Sequence, residues 1–341
     1  MKKLLCAFLL ASLLMALAGG FGPAFAGTAP TGPATPPGQP VKGYGSPQKY
    51  ICSGYTVRAQ GLTWLGTGVT CYVPDRLKNG TKAPVVIFLH GFKIVWPDFY
   101  LDFIRHLTSQ GYIVIYPNAN VVSLLGSFFD TDQNVFMQRA IDNTAKGLSM
   151  VADVADLSDV TVFGHSLGAL LASCWIGSGG IHPKAVVLAN VSTDAPAGIP
   201  DFVKQFVNII PIDWRTRVKA VDVPVILLTG DRDTLAPSSQ ARDMYDNLTN
   251  APSRVLYSFQ TDEHGSPALV GNHNMGLSSS WIFPPELMDQ FFGGAGKLDA
   301  ADWRFCWAAL DAALDNRKGL VFKMGRWSDG TPVKPVVRLA P

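Results

Sequence analysis

The 341-residue sequence predicts the α/β class, a doubly wound and mostly parallel sheet with an antiparallel N-terminal edge. Three observations carry that expectation. Continuous apolar runs such as Val85-Val86-Ile87-Phe88-Leu89 are too uniformly hydrophobic for a strand with one wet face, so they read as strands covered on both sides. These runs alternate with helical segments, and alternation of that kind builds a parallel sheet wrapped by helices. Residues 50–60 and 64–73 are rich in Tyr, Val and Thr with no helix between them, so they pair as the antiparallel edge.

The elements then follow in order. Residues 1–26 read as a secretory signal: Lys2 and Lys3, an apolar run over 4–17, and Ala24-Phe25-Ala26 as the cleavage site. The run is broken by glycines and Pro23 and is short against the roughly 20 residues of a membrane span. The expected location is secreted or periplasmic, with no membrane span. Residues 27–48 are a Pro/Gly-rich linker. The main domain is expected over 49–292, with a lid-like insertion at 192–222, and a C-terminal helix and irregular tail over 293–341. Buried strands are expected over 84–89, 112–116, 158–164, 184–191, 223–230 and 254–259, the last being the final strand. Helices are expected over 97–109, 133–155, 166–177, 237–248, 285–292 and 299–315. The tail, from 325 on, carries too much Pro and Gly for a core strand.

Loss of the signal would remove two lysines and leave 26 basic against 26 acidic residues. A chain of zero net charge offers no nucleic-acid surface and suits a neutral or apolar substrate. Four cysteines would remain, Cys52, Cys71, Cys174 and Cys306, and export permits disulfides. Cys52 and Cys71 lie symmetrically about Gly61-Leu62, so a hairpin turning there would join them. Cys174 and Cys306 pair by default or stay as small buried apolar residues.

The chemistry is concentrated at residues 159–172, DVTVFGHSLGALLA. A β-branched run, then Gly164-His165-Ser166-Leu167-Gly168, then an apolar helical run is the setting of a nucleophile elbow. Ser166 needs a base and an orienting acid, and both should follow later strands. Asp233, in Asp233-Thr234-Leu235-Ala236-Pro237, is the expected acid; Asp231 belongs to the turn itself, and Asp194 is a minor alternative. Of six histidines, His90, His106, His165 and His182 read as structural or solvent-facing. His264 follows the last strand soonest and is the expected base, with His273 in reserve, so His273→Ala should keep most activity. The oxyanion donors are expected to be the N–H groups of Phe92 and Leu167. No metal or organic cofactor is implied; Asp262, Glu263, His264 and His273 match no known metal-binding spacing.

With these residues in place, residues 50–292 resemble the α/β-hydrolases. They are most similar to dienelactone-hydrolase-like and to polyester-hydrolase- or lipase-like serine esterases, on His90-Gly91-Phe92, the GHS-x-G elbow and the D-T-x-A-P acid. Chlorophyllase-like proteins share a related arrangement. The elbow of the polyester enzymes usually reads GHSMGG, where Leu167 and Ala169 stand here, and the insertion and C-terminal extension are foreign to them. The resemblance implies a secreted carboxylic-ester hydrolase working through an acyl-enzyme on Ser166. Polyester hydrolysis, chlorophyllase-like esterase activity, a peptidase or thioesterase on the same fold, and an inactive binding protein are the alternatives. The apolar segments 121–129 and 202–214 both follow strand ends, and the second has one apolar helical face. Both are expected to shape the substrate site, and the helix in the second reads either as a lid or acyl groove or as packing on the body.

Overall fold

A computed structural model describes residues 32–92, 94–120, 131–193, 209–278, 288, 293–294, 296–317 and 319–340. The signal-like residues, the segment 121–129, residues 194–208 of the insertion and all but residue 288 of the helix expected over 285–292 therefore lie outside the described residues. The compact unit begins at Ala34.

Among the described residues nine strands form one sheet: β1 Tyr55–Gln60, β2 Val69–Pro74, β3 Ala83–Leu89, β4 Ile113–Pro117, β5 Ala155–His165, β6 Ala185–Ala189, β7 Val225–Gly230, β8 Arg254–Phe259 and β9 Val337–Ala340, in the order β1-β2-β4-β3-β5-β6-β7-β8-β9. The central strands β4 through β8 are parallel, as the apolar runs predict. β1 and β2 form the antiparallel edge and β2 joins β4 antiparallel. In β3 the side chains alternate between two cores. Val85, Ile87 and Leu89 enter one cluster with α2 (Gln133–Met150), α3 (Leu167–Ser173), α4 (Trp214–Arg217) and α5 (Ser238–Asn247). Val86 and Phe88 enter the other, with α1 (Leu101–Ser109) and α6 (Trp307–Leu314), which a π-helical turn over Asp302–Cys306 precedes. Ile87 has no exposed surface, and such burial is worth about 2 kcal/mol.

Two expectations are corrected here. The sheet does not end at β8: β9, drawn from the tail, adds antiparallel to it. Pro and Gly exclude a central strand, but an edge needs pairing on one side only and tolerates a four-residue segment. The disulfide is also absent: Cys52, Cys71, Cys174 and Cys306 are all free thiols. The connection between β1 and β2 does not turn at Gly61-Leu62. It runs through a 3-10 turn at Thr63–Leu65, and the register sets Cys71 against Arg58. Cys52 lies before β1 with its sulfur 3.4 Å from the Thr108 carbonyl. Cys174 and Cys306 are buried on opposite sides of the sheet.

Strand order positions the site. β3 and β5 are neighbours although β4 lies between them in sequence, so the loops leaving their carboxyl ends part in opposite directions and leave a crevice. The loops after β3, β5, β6, β7 and β8 all reach that edge.

Candidate active site

The turn after β5 is tight because its backbone leaves no room for side chains at two positions. A methyl on Gly164 would lie 2.2 Å from the Gly168 carbonyl oxygen, and one on Gly168 would lie 2.1 Å from that of Leu89. Between them Ser166 takes φ 56° and ψ −120°, a conformation that costs a non-glycine residue about 1–3 kcal/mol. The ladder holds it there: Ser166 N–H donates to the Ala189 carbonyl at 2.9 Å. α3 starts at Leu167, whose N–H has no carbonyl one turn earlier to bond and stands at the positive end of the helix.

Ser166 Oγ lies 2.8 Å from His273 Nε2, and His273 Nδ1 lies 2.8 and 3.0 Å from the two Asp233 oxygens. The serine, imidazole and carboxylate thus form one buried row. Asp233 Oδ1 also accepts from Leu235 N–H at 3.0 Å and Ala236 N–H at 2.8 Å, and Oδ2 from Asn190 Nδ2 at 2.7 Å. Burial pushes this carboxyl up. The bonds and charge from His273, Ala236 N–H and Asn190 outweigh it and hold the group below the usual range, so it is an anion that accepts from His273 Nδ1–H. Nε2 is then the lone pair that faces the serine hydroxyl.

The structure brings Ser166 and Asp233 together as expected, but not His264. That ring is partly exposed and sits 2.6 Å from Asp329, with Trp327 beside it. The cause is an excursion after β8. Asp262 and Leu269 pair as an antiparallel bridge, so the chain leaves the sheet edge at 262 and returns at 269, carrying His264 out to the tail. Gly271 then bonds Arg232 N–H through its carbonyl, and His273 arrives beside Ser166. Gly265 and Pro267 within the excursion are turn residues, and they were the signal for it. Asp231 accepts from Thr261 and fastens the β7 and β8 turns, in keeping with its expected turn role. Asp194 lies outside the described residues.

The loop after β3 lies against the elbow. A methyl on Gly91 would stand 3.5 Å from Ser166 Cβ, and half-buried Phe92 packs toward Phe136 with ring centres 6.2 Å apart. Two buried histidines shape this loop. His90 Nε2 accepts from Ala119 N–H at 3.1 Å, so its Nδ1–H donates to the Gly91 carbonyl at 2.8 Å. His165 Nε2 faces the His273 carbonyl at 2.9 Å and must carry the proton. Its Nδ1 therefore accepts from Tyr100 O–H at 2.9 Å, and Tyr100 in turn accepts from Gly91 N–H at 3.1 Å. Burial lowers His165 to about 3 and His90 to about 4, so both stay neutral under ordinary conditions. A single row of bonds therefore joins the β3 loop to the residue that carries the base. His165 is structural, as its place inside the elbow suggests, whereas nothing in the sequence marks Tyr100, and the one sign of Asn190 is a polar residue just after the apolar strand β6.

The sequence model of the Chlorophyllase family matches residues 70–229, just under half of the chain. That span runs from β2 through β7 and includes Ser166, but stops short of Asp233 and His273. The sheet order, the elbow after β5 and this match agree. The chain has the α/β-hydrolase fold. No curated protein matches this α/β-hydrolase. Among solved structures, the acylaminoacyl peptidase of Pyrococcus horikoshii superposes with a TM-score of 0.48 at 17% identity, over 62% of this chain. Only 38% of the peptidase's own length is covered. Esterase B from Lactobacillus rhamnosis gives a TM-score of 0.44 at 19% identity, over 62% of this chain and 76% of that one. For Est1E from Butyrivibrio proteoclasticus the values are 0.42 and 18%, over 62% and 90%. Among the described residues no cluster of His, Cys, Asp and Glu could hold a metal ion, and no helix is long and apolar enough to cross a membrane.

Proposed function

We propose that this α/β-hydrolase is an exported serine hydrolase of carboxylic esters. The observation that carries the reading is the 2.8 Å contact between Ser166 Oγ and the Asp233-oriented His273. His273 Nε2 takes the hydroxyl proton as Oγ attacks the ester carbonyl carbon, and Asp233 stabilises the imidazolium that results. The carbonyl oxygen becomes an oxyanion, to which Leu167 N–H at the helix start and the Phe92 N–H of the β3 loop donate; one such donor is worth about 3 kcal/mol in the transition state. His273 then returns its proton to the leaving alcohol, and the C–O bond breaks to leave an acyl-enzyme. Water, deprotonated by the same imidazole, attacks that carbonyl and releases the acid and the free serine. The zero net charge of the exported chain suits a neutral or apolar ester. The family match supports chlorophyllase-like esterase activity as the form of this reading to test first.

A chain-length series of p-nitrophenyl esters run beside a peptide p-nitroanilide tests it. The expected result is ester turnover, no anilide turnover, and fluorophosphonate labelling that Ser166→Ala abolishes. Labelling that persists in Ser166→Ala, or anilide turnover equal to that of the esters, would overturn the reading.

A further inference from the structure

Away from the Ser166 residues, the N-terminal arm and the C-terminal segment enclose a pocket of about 380 Å³. That volume is within the range of small-molecule sites, roughly 300–1,000 Å³. Lys42, Arg304, Arg317 and Lys323 line it, and among the described residues no carboxylate does. None of these four cations forms an ion pair among the described residues. The nearest acids are already engaged. Asp315 pairs with Lys49 and accepts from Tyr44, and Asp311 is buried against His106, Gln110 and Gly45. Arg304 is half-buried, and its guanidinium bonds go to neutral carbonyls, those of Gly38 and Lys323. A half-buried cation beside three others, without a counter-charge, gives the pocket a positive potential that repels cations and draws anions.

The apolar part is equally uneven. Leu320 and Phe322 form one wall. Val321 also lines the pocket and is 78% exposed, and Val41, between the lining residues Pro40 and Lys42 in the chain, is 82% exposed; they are the two most exposed large apolar side chains among the described residues. Apolar surface beside uncompensated positive charge matches a molecule with one greasy part and one negative part.

We propose that this pocket binds a small amphiphilic carboxylate, its head among Lys42, Arg317 and Lys323 and its apolar body against Leu320 and Phe322. The assignment does not rest on the esterase reading, since no residue of the Ser166 row takes part.

Titration calorimetry with octanoate and with its neutral isostere octanamide tests the proposal, on the full chain and on the Lys42→Glu/Lys323→Glu variant. Both side chains are exposed, so the variant keeps its fold, which an unchanged melting temperature would verify. Octanoate should bind the parent protein and weaken about tenfold or more in the variant, because two attractions become repulsions. It should also weaken between low salt and about 0.2 M NaCl. Octanamide should bind less tightly and ignore the charge reversal. Octanoate affinity equal in the two proteins would overturn the proposal, because the anion would then sit elsewhere. So would binding to phosphatidylglycerol vesicles in the absence of octanoate binding, which would make the patch a lipid-surface contact instead.

Discussion

Among the described residues an aspartate, an imidazole and a hydroxyl stand in a hydrogen-bonded row at two places. At the carboxyl edge of the sheet the row is Asp233, His273 and Ser166. Between α1 and α6 it is Asp311, His106 and Tyr50, with 3.0 Å from the carboxylate to Nε2 and 2.9 Å from Nδ1 to the phenol oxygen. The three chemical types are the same; their surroundings are not. Ser166 is held in a strained turn at the start of a helix, with the Gly91 loop against it. Tyr50 ends the short 3-10 turn Pro47–Lys49, and burial raises its phenol above the ordinary value, away from the nucleophilic anion. His106 is stacked on Trp307 at 4.6 Å, and Asp311 also accepts from Gln110 and from Gly45 N–H. The second row ties the N-terminal arm and the end of α1 to α6. His182–Asp222 and His264–Asp329 are two further pairs, both exposed. An Asp–His pair is therefore common here, and what sets the Ser166 row apart is a serine in a strained turn at the start of a helix.

The largest expected effect separates the rows by activity. His273→Ala should lower kcat on an aryl ester by about 10⁴-fold or more, comparable to Ser166→Ala. Tyr50→Phe and His264→Ala should each stay within about twofold of the parent, since neither group reaches the reacting atoms. Loss of activity in His264→Ala with retention in His273→Ala would reverse the assignment.

The next effect separates them by stability. Asp311→Ala leaves His106 and Gly45 N–H without their buried partner, which should cost about 3 kcal/mol in urea unfolding. The variant's kcat/KM per folded molecule should be unchanged. A matching loss of kcat/KM would tie the two rows together and break the comparison.

What was legible in the sequence follows the same division. Strands buried on both faces are written as unbroken apolar runs, so β3, β4 and β7 and the parallel sheet could be read directly. Ser166 and Asp233 each sit in a contiguous motif whose strand and helix neighbours define its place. The base has no such local context. His264 and His273 both follow β8, and only the bridge between Asp262 and Leu269 decides which returns to the sheet edge. Chain distance favoured His264, and the fold favoured the residue nine positions later. Tyr100, His165 and Asn190 act through partners remote in sequence, which spacing does not reveal. The β1–β2 connection misled the cysteine pairing for the same reason: the register belongs to the turn, and the turn is longer than two residues.

A third effect concerns the bond row from Gly91 through Tyr100 and His165 to the His273 carbonyl. Tyr100→Phe removes one hydroxyl and leaves Gly91 N–H and His165 Nδ1 facing a ring edge. Such buried unpaired groups cost about 1–3 kcal/mol. If the row positions the oxyanion loop and the base, kcat should fall about tenfold with KM little changed. An equal stability loss with unaltered kcat would make it packing only, like the Tyr50 row.

The smallest effect is a pH dependence confined to the start of α6. Asp299 and Asp302 precede α6, and Asp302 is almost wholly buried with Oδ2 accepting from Asp299 N–H at 2.9 Å. Burial lifts Asp299 to about 6, and burial and the neighbouring Asp299 lift Asp302 well above the ordinary carboxylate range. Both folded values lie above those of the unfolded chain, so the folded state binds the protons more tightly. The stability this gives is fully present at about pH 4 and declines as pH rises through about 6 and beyond. Asp302→Asn keeps the oxygen acceptor and removes the ionisation. It should raise Tm by about 3 °C at pH 8 and by nearly nothing at pH 4, with kcat unaltered at either. A Tm gain that is the same at both pH values would mean that no ionisation is being relieved, and a change in kcat would show that α6 and the Ser166 edge are not the independent regions their bonding describes.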